Sequence, residues 1–281
     1  MTLPPFQHIG VIGLGVMGGS LAKLIREKYP DIPVFGFDQS PTVIKNAKKS
    51  VITSGTTSEI DIPSDLDLVF ICTPISEIQH FINTVSKRVV GPCIITDIGS
   101  VKAPFSDMTL PNPNHAYIPG HPMAGCEKQG FDHSQAQLLE KALYVIIDTP
   151  FSQAEKLSGF LSSLSFKVMT MSAKEHDEWV ALSSHLPYLM AQLMVSATLG
   201  YPIDAHIQHL FGSGFKDTTR VASSSVEWGT DVCLHNQEPL LKGLKNVQSH
   251  LENLITILEN KDRHSLHQFL LKNHDQRENI I

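Results

Sequence analysis

Positive charge is what this sequence is short of. Its 22 lysines and arginines stand against 28 aspartates and glutamates, a formal net charge of −6. A nucleic-acid or anionic-membrane partner wants a basic face, and this balance argues against both. Cysteine is scarce as well: Cys72, Cys93, Cys126 and Cys233 lie far apart and form no CxxC pair. They read as reduced thiols rather than a disulfide frame or a zinc site, and no metal centre is expected. Long apolar runs are missing. The apolar stretches are strand-length, broken by Asp, Pro or Gly, and none nears the roughly 20 residues of a membrane span. Met1 to Gln7 carries two prolines and no apolar leader core, so a cytoplasmic location is expected.

What is present is enough apolar matter for packed cores. Hydrophobic residues make up 42% and charged residues 18% of 281 positions, a length comfortable for two domains. From His8 to Met171 short runs rich in Val, Ile and Phe alternate with amphipathic stretches. The runs are His8–Gly13, Pro33–Asp38, Leu66–Cys72, Cys93–Ile98, Ala116–Ile118, Leu143–Asp148 and Phe166–Met171. Leu21–Lys28, Thr42–Lys49, Glu77–Arg88 and Gln153–Leu164 are the helical stretches between them. This alternation predicts an α/β Rossmann domain, with a mostly parallel doubly wound sheet, over residues 1–171. Beyond it strands are no longer suggested, and residues 172–281 read as an all-helical domain. Ser172 with Glu175 three residues on has the spacing of a capping box. Leu240, Leu241, Leu244, Val247, Leu251, Leu254, Ile255 and Leu258 form a seam at three- and four-residue spacing. That seam is long for so small a helical region and predicts a homodimer, an intramolecular bundle face being the alternative. Most of the 14 histidines fall singly on the polar helices of the last third and read as solvated.

The first strand runs into Gly13-Leu14-Gly15-Val16-Met17-Gly18. Three such glycines alone are a weak signal. Here they follow a strand, open a helix, and precede a second strand ending in an acid, which together predict a dinucleotide site. Gly13 permits the tight turn, Gly15 a close approach of backbone to pyrophosphate, and Gly18 close packing of helix on strand. Val16 and Met17 begin the helix whose N–H groups face the phosphates. Asp38, 20 residues past Gly18, can accept hydrogen bonds from the adenine ribose and would repel a 2′-phosphate. Gln39, Ser40 and Pro41 offer no cation to offset that repulsion, so the expected cofactor is NAD. Thr73-Pro74 and Asp97-Ile98-Gly99-Ser100 end two further strands on the carboxyl edge, where ligands of open α/β folds bind.

Ile118 to Gly125 carries too many helix breakers to be regular and presents one titratable group, His121. A dehydrogenase needs a base to take the alcohol proton as hydride leaves, and histidine suits that task near neutral pH. A loop histidine can equally be structural. Placement near the carboxyl edge, with Ser100 and Glu127 close in chain order, favours the base.

At these residues the chain resembles the prephenate/arogenate dehydrogenases of tyrosine biosynthesis, over nearly its whole length. The matching pieces are Gly13–Gly18, Cys72–Pro74, Asp97–Lys102, and His121–Gly125 with Glu127 and Gly130. Further on they are His176-Asp177, Ser184–Pro187, and Gly214–Arg220. The resemblance implies NAD-dependent oxidative decarboxylation of prephenate to 4-hydroxyphenylpyruvate, or of arogenate to tyrosine. His121 would take the ring hydroxyl proton and Ser100 would support it. Arg220 would clamp a substrate carboxylate, or else be a surface residue pairing with Asp217. Glu127 would line the side-chain pocket or be a solvated loop acid. Ser184, Asp217 and Tyr188 complete the substrate set. Many prephenate-preferring relatives have histidine where Tyr188 stands, so that contact does not carry over unchanged. A β-hydroxyacid dehydrogenase would need a catalytic lysine opening the interdomain helix, where this chain has Glu175, His176 and Trp179. A non-catalytic NAD sensor would need neither His121 nor Arg220.

Asp38 predicts at least about a ten-fold preference in kcat/KM for NAD⁺ over NADP⁺, some 1.4 kcal/mol. Asp38→Ser with Gln39→Arg should erode it. Equal kcat/KM for the two cofactors in the unaltered protein would show that Asp38 does not select.

Overall fold

The structure, a computed structural model, describes residues 5–125, 128–200 and 206–280. Four-residue apolar runs build the centre of the sheet. The strands β1 (Ile9–Ile12), β2 (Val34–Phe37) and β4 (Leu68–Ile71) are buried at every position, as strands covered on both faces must be. The short β3 (Ser54–Thr56) lies outside β2, and β5 (Cys93–Asp97) and β6 (His115–Tyr117) lie beyond β4. All six run parallel in the order β3-β2-β1-β4-β5-β6. The order reverses between β1 and β4, so a crevice opens at their carboxyl ends.

Side-chain alternation divides the core into two layers. Ile9, Val11, Val34, Leu68, Phe70 and Ile94 face one layer, which α1 (Val16–Lys28) and α4 (Gln153–Ser163) cover. Ile12, Phe35, Phe37, Val69, Ile71 and Ile95 face the other, covered by α3 (Ile75–Arg88). The helix α3 offers Ile75, Ile78, Phe81, Ile82 and Val85, the spacing of a buried stripe. On the edge α2 (Pro41–Lys48) starts at Ser40, whose hydroxyl accepts from the Val43 N–H, with proline at its first turn.

Two expectations need correction. The stretch Ile118–Gly125 is not irregular throughout: Gly120–Pro122 forms β7, which pairs antiparallel with β8 (Leu143–Ile147). The strand β9 (Lys167–Met171) joins β8 in parallel. These three make a second sheet rather than an extension of the first. Three residues that follow Pro119 and end in Pro122 are too few for a period-2 signal, so pairing with β8 decides the conformation. The strand β3 has no apolar pattern either, because Ser54 and its neighbours sit on an exposed sheet edge.

Among the described residues, the regular elements after Met171 are all helices. The elements are α5 (Ala173–Val180), α6 (Leu186–Leu199), α7 (Ser213–Thr219), α8 (Val226–His235), α9 (Gln237–Glu259) and α10 (Arg263–Glu278). The Ser172 hydroxyl caps α5 by accepting from the Glu175 N–H at 3.2 Å. Between α5 and α6 the helix widens to a π turn at Ala181–His185. Pro187 explains the widening, since it lacks the N–H that an unbroken α-helix would aim at the Ser183 carbonyl. Two carboxylates of the helical region anchor it to backbone or side-chain donors of the sheet region. Asp231 of α8 accepts from the Ser76 N–H and hydroxyl, both at 3.1 Å. Asp177 of α5 accepts from the backbone N–H groups of Lys102 and Ala103, both at 2.8 Å. No helix among the described residues is long and apolar enough to cross a membrane.

Candidate active site

The turn after β1 is shaped as a phosphate cradle. Gly13 has φ +92°, and a Cβ there would meet the Cys72 carbonyl oxygen at 2.7 Å. At Gly18 a Cβ would lie 1.9 Å from the Gly13 carbonyl oxygen, so helix and turn can close only without one. Gly15, by contrast, faces open space and is the N-cap of α1. Val16 and Met17 form the first turn, which holds no acidic side chain, leaving unpaired N–H groups for an anion. Asp38 at the end of β2 accepts from the Leu14 N–H at 3.0 Å and from the Ser40 N–H at 2.9 Å. These bonds orient its carboxylate beside the glycine turn and leave lone pairs for a diol. Thr73 and Pro74 lie across the crevice at the start of α3, the Thr73 hydroxyl buried without a partner among the described residues. This cradle, with a carboxylate on one side and an orphaned hydroxyl on the other, fits NAD(H).

The adjoining chemistry hangs on Asp97, fully buried at the end of β5. It receives the Lys102 ammonium, the Tyr117 hydroxyl at 2.9 Å, the Gly99 N–H at 2.9 Å and the Gly120 N–H at 3.3 Å. The same ammonium donates to the Gly120 carbonyl oxygen at 2.8 Å. Burial pulls the Lys102 ammonium below its ordinary range, and the Asp97 carboxylate works against that pull. Gly120 is thus bound through both its N–H and its carbonyl, and the next residue is His121.

His121 is 9% exposed. Its Nδ1 lies 2.9 Å from Nε2 of His176 in α5, a bond between the sheet region and the helical region. Nδ1 of His176 lies 2.7 Å from Oδ1 of Asp177. Burial holds His121 well below the ordinary histidine range, and His176, Lys102 and His185 push the same way. At neutral pH it is an uncharged imidazole, which is what a proton acceptor must be. His185, on the π turn, is buried too and is pushed down to about 4 by desolvation. The Asn236 amide nitrogen donates to the Asp177 carbonyl at 2.9 Å and faces His185 Nδ1 at 3.2 Å. A carbonyl only accepts, so that amide group is the NH₂ and His185 Nδ1 is an acceptor. The His185 proton therefore sits on Nε2, which is buried with no partner among the described residues.

The other expected site residues are placed unevenly. The Ser100 hydroxyl is buried without a partner, so it stands available near the hub but does not itself support His121, whose Nδ1 is taken by His176. Ser184 is half-buried on the π turn. Tyr188 packs edge-on against Trp228 at 5.3 Å, its hydroxyl end pressed against Gly229. Asp217 in α7 and Arg220 at its C-terminal end are both exposed. Glu127 lies outside the described residues. Sequence reasoning gave His176 and Asp177 no role. The signals were a His-Asp pair behind a capped helix start and its place among the pieces shared with the resembling family; contact with His121, 55 residues away, is a tertiary fact.

Comparison with known proteins agrees with this architecture. The family model described as prephenate dehydrogenase, nucleotide-binding domain, matches residues 21–167, and that described as prephenate dehydrogenase, dimerization domain, matches residues 172–272. A cyclohexadienyl dehydrogenase of Zymomonas mobilis is 30% identical over 264 residues, 92% of this chain and 90% of that protein. A prephenate dehydrogenase of Bacillus subtilis is 28% identical over 95% of this chain and 74% of its own length. Among solved structures, prephenate dehydrogenase from Aquifex aeolicus in complex with hydroxyphenyl propionate and NAD⁺ superposes with a TM-score of 0.90 at 26% identity, covering 98% of both chains. Synechocystis arogenate dehydrogenase gives 0.78 at 29% identity, over 98% of this chain and 100% of that one.

The depressed histidines of the site, His121 and His185, make stability depend on pH. Their folded values lie below the unfolded value, so the stability is present above about pH 6.5 and is lost as pH falls below it, for His185 towards 4. For His185 alone the loss by pH 4.5 is on the order of 2–3 kcal/mol. Urea unfolding at pH 7.5 and 4.5 should show this fall, and His185→Gln should flatten it. An equal pH dependence in both proteins would show that His185 is not held neutral by the fold.

Proposed function

The chain belongs to the prephenate dehydrogenase family, and we propose that within it this protein is an NAD-dependent dehydrogenase that oxidatively decarboxylates prephenate to 4-hydroxyphenylpyruvate. The observation that carries the reading is His121. It is a buried, uncharged imidazole at the carboxyl edge of the sheet, joined to the helical region by one hydrogen bond. We assign residues 1–171 to the nucleotide domain and 172–281 to the substrate and dimer domain. Bound NAD⁺ supplies the hydride acceptor. Gly13, Gly15, Val16, Met17 and Gly18 hold its phosphates, and Asp38 its ribose. His121 accepts the ring hydroxyl proton as hydride leaves the same carbon. Loss of the ring carboxylate as CO₂ then aromatises the ring, which makes the step essentially irreversible. Ser100 hydrogen-bonds the same hydroxyl. Arg220 holds a substrate carboxylate from the helical side, in a region that Ser184, Asp217, Tyr188 and Glu127 help to line.

Prephenate is preferred on chemical grounds. The buried Nε2–H of His185, unpartnered among the described residues, is a neutral donor, which suits a keto oxygen better than an ammonium. The carboxylates of Asp97 and Asp177 are already taken up by internal donors. Arogenate, with an ammonium in place of the keto group, is the second reading. The cyclohexadienyl and arogenate dehydrogenases among the similar proteins support it.

The helical domain also supports a homodimer. Leu241, Leu251, Ile255 and Leu258 of the α9 seam are 46–55% exposed, so the seam is not consumed inside the chain, and exposed apolar stripes of this kind mark interfaces.

Absorbance at 340 nm with prephenate and with arogenate tests the reading, run on the unaltered protein and on two variants. His121→Asn should lower kcat by roughly 10² to 10⁴ with NAD⁺ affinity nearly unchanged. Arg220→Ala should raise KM for the dienol. A His121→Asn variant keeping more than about half its kcat would remove His121 from the chemistry.

A further inference from the structure

We infer that His176 and Asp177 form a proton relay behind His121, setting which of its ring nitrogens is the base and receiving the proton that the base displaces. This inference rests on the proposed role of His121 and deepens it.

The direction of each bond follows from the donors available. Asp177 accepts the backbone N–H groups of Lys102 and Ala103 at 2.8 Å each. Its carboxylate is therefore the accepting end of the chain, and Nδ1 of His176 donates to it across 2.7 Å. An imidazole with its proton on Nδ1 presents a lone pair at Nε2. Nδ1 of His121, 2.9 Å away, must then donate. His121 in turn keeps its lone pair on Nε2, the nitrogen left for a substrate. One carboxylate, two residues removed, thus selects the tautomer in which His121 is a base.

The same chain answers where the charge goes. A cation resting on His121 is opposed by burial and by the neighbouring His176, Lys102 and His185. When Nε2 of His121 takes the substrate proton, its Nδ1 proton can pass to Nε2 of His176. One proton enters and one moves on. His121 returns to neutrality, now protonated on Nε2, and the positive charge stands on His176 against the Asp177 carboxylate. Asp97 balances Lys102 on the other side. His176 is fully buried, so the proton leaves again through His121. His176 acts through His121 and is a positioning residue, with Asp177 behind it.

The experiment has a spectroscopic arm and a kinetic arm. Two-bond ¹H–¹⁵N spectra of the ligand-free protein, labelled in histidine, should show His121 and His176 both protonated on Nδ1. In the kinetic arm, His176→Gln keeps an acceptor for the His121 N–H but cannot take a proton. It should lower kcat at least about tenfold and turn a curved proton inventory in H₂O/D₂O mixtures into a straight line. Asp177→Asn should move the acid limb of the kcat/KM profile to lower pH, because the charge opposite His176 is gone. His121 protonated on Nε2 in the free protein would overturn the relay, as would an unchanged kcat and inventory in His176→Gln, or an unmoved acid limb in a folded Asp177→Asn. If His121→Asn retained activity, the assignment of the base itself would fail instead. Should Asp177→Asn not fold, the spectra and His176→Gln still decide.

Discussion

A single buried carboxylate holds the two functions of this fold in register. Asp97 ends strand β5, where the sheet presents its ligand edge, and it is sealed from water. A lone ion in that position would cost several kcal/mol, so it must be paired and hydrogen-bonded. Lys102 supplies the charge, and Tyr117, Gly99 and Gly120 supply the remaining donors. Since Gly120 is bound from both ends, the position of His121 relative to the nucleotide crevice follows from electrostatic necessity. Lys102 also begins the segment whose backbone N–H groups Asp177 receives. The buried charge on the sheet side and the one on the helical side are therefore linked through one residue of main chain.

That linkage explains why the site lies between regions of different architecture. The sheet region alone can cradle a dinucleotide, because glycines and a helix start are local devices. It cannot select the protonation state of His121, for which the carboxylate stands on α5. The helical region also contributes His185, kept neutral by burial and oriented by Asn236. Chemistry is thereby confined to the contact surface. Removing either region would strip His121, Lys102 and Asp177 of the partners they have across the contact surface.

Much of this was legible in the sequence for reasons that are themselves local. The Rossmann half announces itself because parallel strands buried on both faces are continuous apolar runs, as in Leu68–Ile71. Gly13, Gly18 and Asp38 were readable because backbone geometry and charge admit few substitutes there. The seam on α9 was readable as a stripe, and its exposure in the single chain accords with an interface rather than an internal core. Other features were not legible. The strand Gly120–Pro122 exists because β8 pairs with it, and nothing within three residues encodes that. The partnership of His121 with His176 depends on how α5 docks, and the position of Arg220 depends on where α7 is carried. Ser184 lies on a widened turn that only Pro187 hints at.

If the Asp97 cluster is what places the base, then damage to it should be felt in chemistry before it is felt in cofactor binding. The decisive measurement is kcat together with NAD⁺ affinity for Asp97→Asn, made on protein shown by circular dichroism to be folded. The arrangement predicts a fall in kcat of at least about 10², as expected when a reacting group is misplaced by an ångström. NAD⁺ affinity should stay within about threefold, under 1 kcal/mol, because Gly13–Gly18 and Asp38 are untouched. A folded Asp97→Asn protein with unaltered kcat would contradict it.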